Sequence, residues 1–335
     1  MLTLVVAPSM SERVRALLAT LPAYRSKVRL REVADPLLVD DADVIVTDAG
    51  VTLPFDWADQ RPPHLLPTLA VDAASLSAML ALASHDEAAA VAAVPALDGE
   101  LAVLTAIADG TALPTARGLG RAARDRHNTG VRLHYADAPD FEHALSAYTD
   151  ALLDAPSPSA HAFTARQAAT LLIDTGRLDE ALALLQAVMV DDIPAAARES
   201  IEALRLGVEL ERMSPMTPDT TLETLAADFD TLCTALDQRG NTLRAALLRL
   251  DRSRVLQRIG RFEEGRDAID EARALFEEAE SPELLATAGL RRGELLHAWA
   301  QAGARHQYKY ALEAFQGALK VFTKDTAPTL FASIH

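Results

Sequence analysis

The chain has 335 residues, and 65 alanines and 51 leucines make helix its expected state, while 9 Phe, 5 Tyr, 2 Trp and 15 Gly are too few for an all-β sandwich. Thirty-two basic against 48 acidic residues leave a net charge of −16, which repels phosphate backbones and anionic lipid surfaces, so neither nucleic acid nor membrane is an expected partner. A single cysteine, Cys233, excludes an internal disulfide; Met1–Pro8 has no basic n-region, and no apolar run has the length of a membrane span, so the expected setting is cytoplasmic.

Charge divides the chain: residues 1–110 carry −8, residues 111–135 carry +4, and residues 136–335 carry −12. This predicts an α/β domain over 1–110, a basic linker over 111–136 and a helical domain over 137–335. In the first, the aliphatic run Leu2–Ala7 predicts a strand and Ser11 the N-cap of an amphipathic helix through Leu21. Val28–Val33 and Asp43–Asp48 predict two more strands, Thr68–Val71 and Ala89–Val94 two weaker ones, and Ser75–Ala83 and Asp98–Ala108 predict helices. Strands alternating with short helices imply a parallel sheet of about five strands.

The middle stretch contains Gly118-Leu119-Gly120-Arg121-Ala122-Ala123, which matches a dinucleotide fingerprint in letters. Thr111–Arg117 contains a proline and supplies no strand to lead into it, so no nucleotide cofactor is expected. Arg117, Arg121, Arg124, Arg126 and Arg132 form the one basic stretch and are expected to pair with the acidic domains they join.

Beyond Ala136, helices are predicted near 140–154, 159–175, 178–190, 194–213, 219–238, 241–259, 261–279, 282–302 and 307–323. A pattern recurs along them. Asp140-Phe141-Glu142-His143-Ala144, with Tyr148, Ala151 and Pro156, is followed by Gly176-Arg177-Leu178-Asp179-Glu180-Ala181 with Leu185. Gly260-Arg261-Phe262-Glu263-Glu264-Gly265, with Ile269 and Ala272, and then Ala311, Phe315 and Ala318, extend it. A glycine lets the chain turn, and an Ala or Gly five residues on lets two helices approach closely.

This pattern resembles the tetratricopeptide repeat. The small anchors at 144, 181, 265 and 311 are 37, 84 and 46 residues apart, which implies a degenerate all-α solenoid of about five units with one further hairpin around Leu222–Leu236. Ala327–Ala332 begins another first helix, and its half-repeat leaves an apolar face. A cut array is the first expectation there; the other is a self-association seam through Leu330, Phe331 and Ile334.

The strand and helix order of residues 1–110 resembles a response-regulator receiver, and Asp48 falls where that family carries its phosphoacceptor. Ala7-Pro8-Ser9 stands where the resemblance requires an acidic metal-binding pair, and Val94-Pro95 where it requires Lys-Pro, which implies a pseudo-receiver.

Catalytic constellations are missing from the pattern. Asp40, Asp41, Asp43 and Asp48 flank one strand, where neighbouring side chains point to opposite faces, so no metal site is expected. The nine histidines show no zinc-hydrolase spacing, no Gly-x-Ser-x-Gly elbow occurs, and Cys233 reads as packed. What remains is the inner surface of the array. The resemblance places first helices along a groove, where Arg166, Thr170, Arg205, Arg244, Arg249, Arg252, Arg291 and Arg292 are the candidates to hold a partner peptide or acidic tail, arginine being suited to bidentate carboxylate recognition. The expected function is therefore that of a non-catalytic protein-interaction adaptor or scaffold without cofactor or metal. The alternatives are a signalling or transcriptional regulator of bacterial type, switched through the receiver-like domain, and a homo-oligomeric structural protein joined through its terminal half-repeat.

Overall fold

The computed structural model describes residues 1–39, 41–54, 64–108, 123–155, 157–189 and 192–334. It opens with strand β1 (Leu2–Val6), helix α1 (Ser11–Ala19) and strands β2 (Val28–Glu32), β3 (Val44–Thr47) and β4 (Gly50–Thr52). The sheet order is β2-β1-β3-β4, with β1 parallel to both β2 and β3 and β4 antiparallel to β3. Alternation puts Leu4, Val6, Val44 and Val46 on one face, packed against Val14 and against Leu76, Met79 and Leu80 of helix α2 (Ala73–Ala83). Val5 and Ile45 face the other way, against Leu37 and Val39.

Four expectations for this region are corrected. The sheet is mixed and has four strands among the described residues, not a parallel set of about five. Thr68–Val71 contributes only one bridge, Leu69 to Val51. Ala89–Val94 falls largely in helix α3 (Glu87–Ala93), after α2 (Ala73–Ala83): Asp86 accepts from the Ala89 N–H at 3.0 Å and caps it, and the helix propensity of its five alanines outweighs the strand propensity of its one valine. Ser11 is the first helical residue rather than the cap, and its hydroxyl donates to Glu32 on β2 at 2.5 Å.

Helix α4 (Asp98–Ala108) is followed by α5 (Ala123–His134), which occupies the second half of the arginine-bearing stretch. His127, Asn128, Gly130, Val131 and His134 form its buried face at helical spacing. Helices α6 (Phe141–Leu153), α7 (Pro158–Asp174) and α8 (Leu178–Val188) pack in succession after it. All of these, with the sheet, belong to one compact unit, Met1–Ile201.

The second unit, Glu202–His335, holds most of α9 (Ala195–Glu211) and then α10 (Asp219–Gln238), α11 (Thr242–Arg258), α12 (Phe262–Glu278), α13 (Pro282–Gln301), α14 (Gln307–Ala318) and α15 (Pro328–Ile334). Each helix from α10 to α13 packs on the next, and α11 also touches α13. The core passes from Leu222, Phe229 and Leu256 to Ile269, Phe276 and Leu295. The small anchors are buried as their spacing required: Ala144 and Ala181 are fully enclosed, Ala311 nearly so, and a Cβ on Gly265 would lie 2.5 Å from Leu295 Cδ1. Of the recurrent aromatics, Tyr148 is buried, whereas Phe141 is exposed, with its ring edge-on to His134.

The same turn closes α10, α11 and α12. At residues 240, 260 and 280 the chain enters the left-handed region, and the following N–H returns to a carbonyl five residues back: Asn241 to Leu236, Arg261 to Leu256 and Ser281 to Phe276. Two of these positions are glycine; the third is Glu280 at φ 52°. Glu280→Gly is therefore expected to stabilise the protein by about 0.5–1 kcal/mol, relief of the left-handed strain exceeding the added freedom of the unfolded chain. Gly260→Ala should cost about 1 kcal/mol or more. Thermal unfolding of the two variants checks both signs.

Candidate functional site

The residues expected to line the groove fall in both units. Arg166 and Thr170 are on α7 in the first: the Arg166 guanidinium lies 5.0 Å from the centre of the Phe163 ring, and Thr170 Oγ1 donates to the Arg166 carbonyl at 3.0 Å. The other six are in the second. Arg205 on α9 meets Glu202 and Glu209 at 2.5 Å and Asp228 of α10 at 3.2 Å. On α11, Arg249 pairs with Asp237 of α10 and with Glu271 of α12 at 3.1 Å, and Arg252 reaches Asp230 of α10 at 3.2 Å. Arg244, on the same helix, is half-buried and also engaged.

Arg291 on α13 is the most enclosed, with 13 % of its side chain exposed. It donates to Ser253 Oγ at 3.1 Å and to Gln257 Oε1 at 2.7 Å, both on α11, and pairs with Glu294 at 2.6 Å. Burial lowers its pKa from the usual arginine value, against the pull of Glu294. Arg292, about 100° further round that helix, approaches Asp270 of α12 at 3.6 Å. It also lines an open cleft of about 480 Å³ with Arg273, Tyr310 and Glu313.

Arg249, Arg252 and Arg292 thus turn toward α10 and α12, while Arg291 joins α13 to α11. A stripe of exposed positions runs along one side of α11, built from residues the sequence reading did not select. Arg254 on α11 bridges to Glu211 on α9 at 2.8 Å, and its own helix supplies Asp251 at 3.9 Å. Burial raises the Asp251 carboxyl above its ordinary range, with Arg254 and Arg291 opposing the shift. Leu243 and Leu247, each 42 % exposed, continue the stripe. At 100° per residue, positions 243, 247, 254 and 258 fall within about 60° of one another. That spacing was visible in the sequence, but leucines four apart on a helix read as core.

Over α9 to α13 carboxylates outnumber arginines by 19 to 11, although α11 itself carries five arginines and one aspartate; Arg205 serves three carboxylates and Arg249 two, and Arg261 is shared by Glu223 and Glu264.

The remaining candidates are scattered. Asp48 follows β3 and accepts from Ser9 Oγ at 2.8 Å. Asp41 pairs with Arg31, and Asp43 accepts from the Thr3 N–H at 2.6 Å; Asp40 lies outside the described residues. Among the described residues no three His, Cys, Asp or Glu side chains group to hold a metal ion. Of the fingerprint Gly118–Ala123, all but Ala123, the first residue of α5, lies outside them, as does Arg117. Arg124 pairs with Glu100 and Asp125, and Arg126 with Asp154. Cys233 is buried beside the Ala245 carbonyl, and burial pushes its thiol up to about 11, which keeps it protonated and unreactive at neutral pH. Leu330 and Phe331 lie on α15, partly exposed, and the Ile334 side chain is outside the described set.

The class that these observations define is coarse: a small mixed α/β sheet followed by packed helix hairpins, in which no described helix is long and apolar enough to cross a membrane. Comparison of the chain with family models, with curated proteins and with solved structures finds no match in any of the three.

Proposed function

We propose that the protein is a protein-interaction adaptor whose second unit is a degenerate array of tetratricopeptide type. The observation that carries this reading is the stripe on α11, where exposed Leu243 and Leu247 continue into the Arg254–Glu211 pair. Two leucines left accessible on a helix whose opposite side is buried offer apolar anchor positions, and a rim of exposed ion pairs, each worth about 0–1 kcal/mol, exchanges partners at little cost.

The test is capture from the source cell extract by the full chain, compared quantitatively with the Leu243→Asp/Leu247→Asp double variant. Both positions are solvent-facing, so the variant should keep its unfolding temperature within a few degrees. At least one protein enriched by the native chain should fall tenfold or more with the variant. An unchanged set of captured proteins would overturn the reading.

A further inference from the structure

The open cleft of about 480 Å³ beside Arg292 is in the size range of small-molecule sites, and the adaptor reading leaves it without a use, since no described residue of α11 lines it. Helices α13 and α14 border it along their length, and Arg273 of α12 closes one side. The two helices run antiparallel, Gly293 lying against Phe315 and Gly289 against Ala314 and Ala318. Arg292, Tyr310 and Glu313 therefore gather at one end of the cleft and Pro282, Leu285 and Val321 at the other, about 15 Å away by the rise of ten helical residues.

Between the ends the cleft passes over two glycines that the packing of the fold does not require. A Cβ on Gly317 would meet nothing within 4 Å, and one on Gly289 would make ordinary contacts, 3.7 Å from the Ala314 carbonyl oxygen and 3.9 Å from Ala318 Cβ. Glycine inside a helix costs about 1 kcal/mol relative to alanine. What the two share is this cleft, where the absence of side chains leaves room for a bound molecule.

The two arginines at the cleft keep donors unused. Arg292 stands 3.6 Å from Asp270 and Arg273 3.7 Å from Glu277, both beyond hydrogen-bond distance, whereas Arg249, Arg254 and Arg261 each donate to a carboxylate at 3.1 Å or less. About a third of each side chain is exposed, 34 % for Arg273 and 32 % for Arg292, and their terminal nitrogens are open to solvent. Asp270 precedes Arg273 by one helical turn, so Arg292, in reaching toward Asp270, is brought beside Arg273. Neither Asp270 nor Glu277 lines the cleft; Glu313 does, 3.9 Å from Lys309, and it opposes a second anionic group on the same ligand. Two planar guanidinium forks next to an apolar trough match a carboxylate with a hydrocarbon body. We propose that this cleft binds a small organic monocarboxylate, its carboxylate held by Arg292 and Arg273 and its apolar tail lying across Gly289 and Gly317 toward Leu285 and Val321.

The test titrates the full-length protein with decanoate, 1-decanol and decylammonium by calorimetry. We expect one saturable decanoate site per chain, binding of decanol at least tenfold weaker, the ratio one charge-assisted hydrogen bond supports, and no decylammonium binding. Gly317→Leu, at an exposed position where a Cβ meets nothing, should keep its melting temperature and lose decanoate affinity tenfold or more. Arg292→Gln should bring decanoate down to the affinity of decanol, and should that variant fail to fold, Arg273→Gln should shift the preference in the same direction. Absence of saturable decanoate binding overturns the site, as does binding that Gly317→Leu leaves unchanged. Equal affinities of decanoate and decanol in the native chain, or a preference that the arginine variants leave intact, overturn the role of the two guanidinium groups, and saturable decylammonium binding that Gly317→Leu abolishes overturns the ligand class.

Discussion

Taking the protein from pH 7 to pH 5 should lower the unfolding free energy of the first unit by about 2 kcal/mol through His64 alone. The unfolded ring titrates near its ordinary value of about 6.5, while the folded one, buried among Arg132, His127 and Arg124, does so only at about 3. Between those values the unfolded state binds a proton that the native state refuses, so stability falls with falling pH at about 1.4 kcal/mol per unit and stops falling near pH 3. Above about pH 6.5 both states are neutral and the group contributes no slope. His134 acts in the same sense, its pKa lowered by burial against the hydrogen bond to Asp174 at 2.9 Å. Asp251 acts in the opposite sense over the carboxylate range, because burial raises its folded pKa and the native state then gains from protonation. Denaturant unfolding at pH 5, 6 and 7 measures the slope. His64→Leu should remove most of it, and an equal slope in both proteins would show that His64 is accessible to protons in the native state.

The second large effect comes from two glycines that sit under aromatic rings. A Cβ on Gly130 of α5 would lie 2.6 Å from the Tyr148 ring of α6, and one on Gly293 of α13 would lie 2.6 Å from the Phe315 ring of α14. Tyr148 is fully buried, so its ring has no free direction in which to move. Gly130→Ala and Gly293→Ala should each cost about 2–3 kcal/mol, overpacking outweighing the helix-propensity gain. Gly207, Gly289 and Gly317 are helical glycines as well, but a Cβ there meets open space or ordinary contacts at 3.7 Å and beyond. The same substitution at those three should stabilise by up to about 1 kcal/mol. Five thermal melts decide the matter; destabilisation at Gly289 or Gly317 comparable to that at Gly130 would show that glycine is required there for another reason.

These contrasts locate what sequence reading reached. Helices α6 to α14 were legible to within a few residues because their turns carry local signals: Gly176, Gly240 and Gly260 end helices with left-handed caps, and apolar spacing inside each helix does the rest. The anchors Ala144, Ala181, Gly265 and Ala311 were legible for the same reason, since close approach of two helices demands a small residue whatever lies across from it. The glycines at 130 and 293 were not, because their meaning depends on Tyr148 and Phe315 in the following helix. Ala89–Val94 was misread because six residues of weak preference are decided by the cap that precedes them, here Asp86.

The site divides in the same way. Arginine on the first helices was readable as a chemical class, but the partner each arginine takes, Asp237 for Arg249 or Gln257 for Arg291, depends on which helix lies beside it. His64 carried no signal at all: a histidine among prolines and leucines reads as surface loop until α5 closes over it and Asn128 grips its neighbour.

Composition, charge and periodicity determined by themselves that this chain is mainly helical and acidic, with a small sheet at its N-terminal end followed by helices, because those properties follow from local preference and the 3.6-residue repeat. Only the tertiary structure decided that the sheet is mixed, that the arginines are held by carboxylates of neighbouring helices, and that a neutral histidine is buried. Each of these is a pairing between residues distant in sequence, and such pairings exist only once the helices have packed.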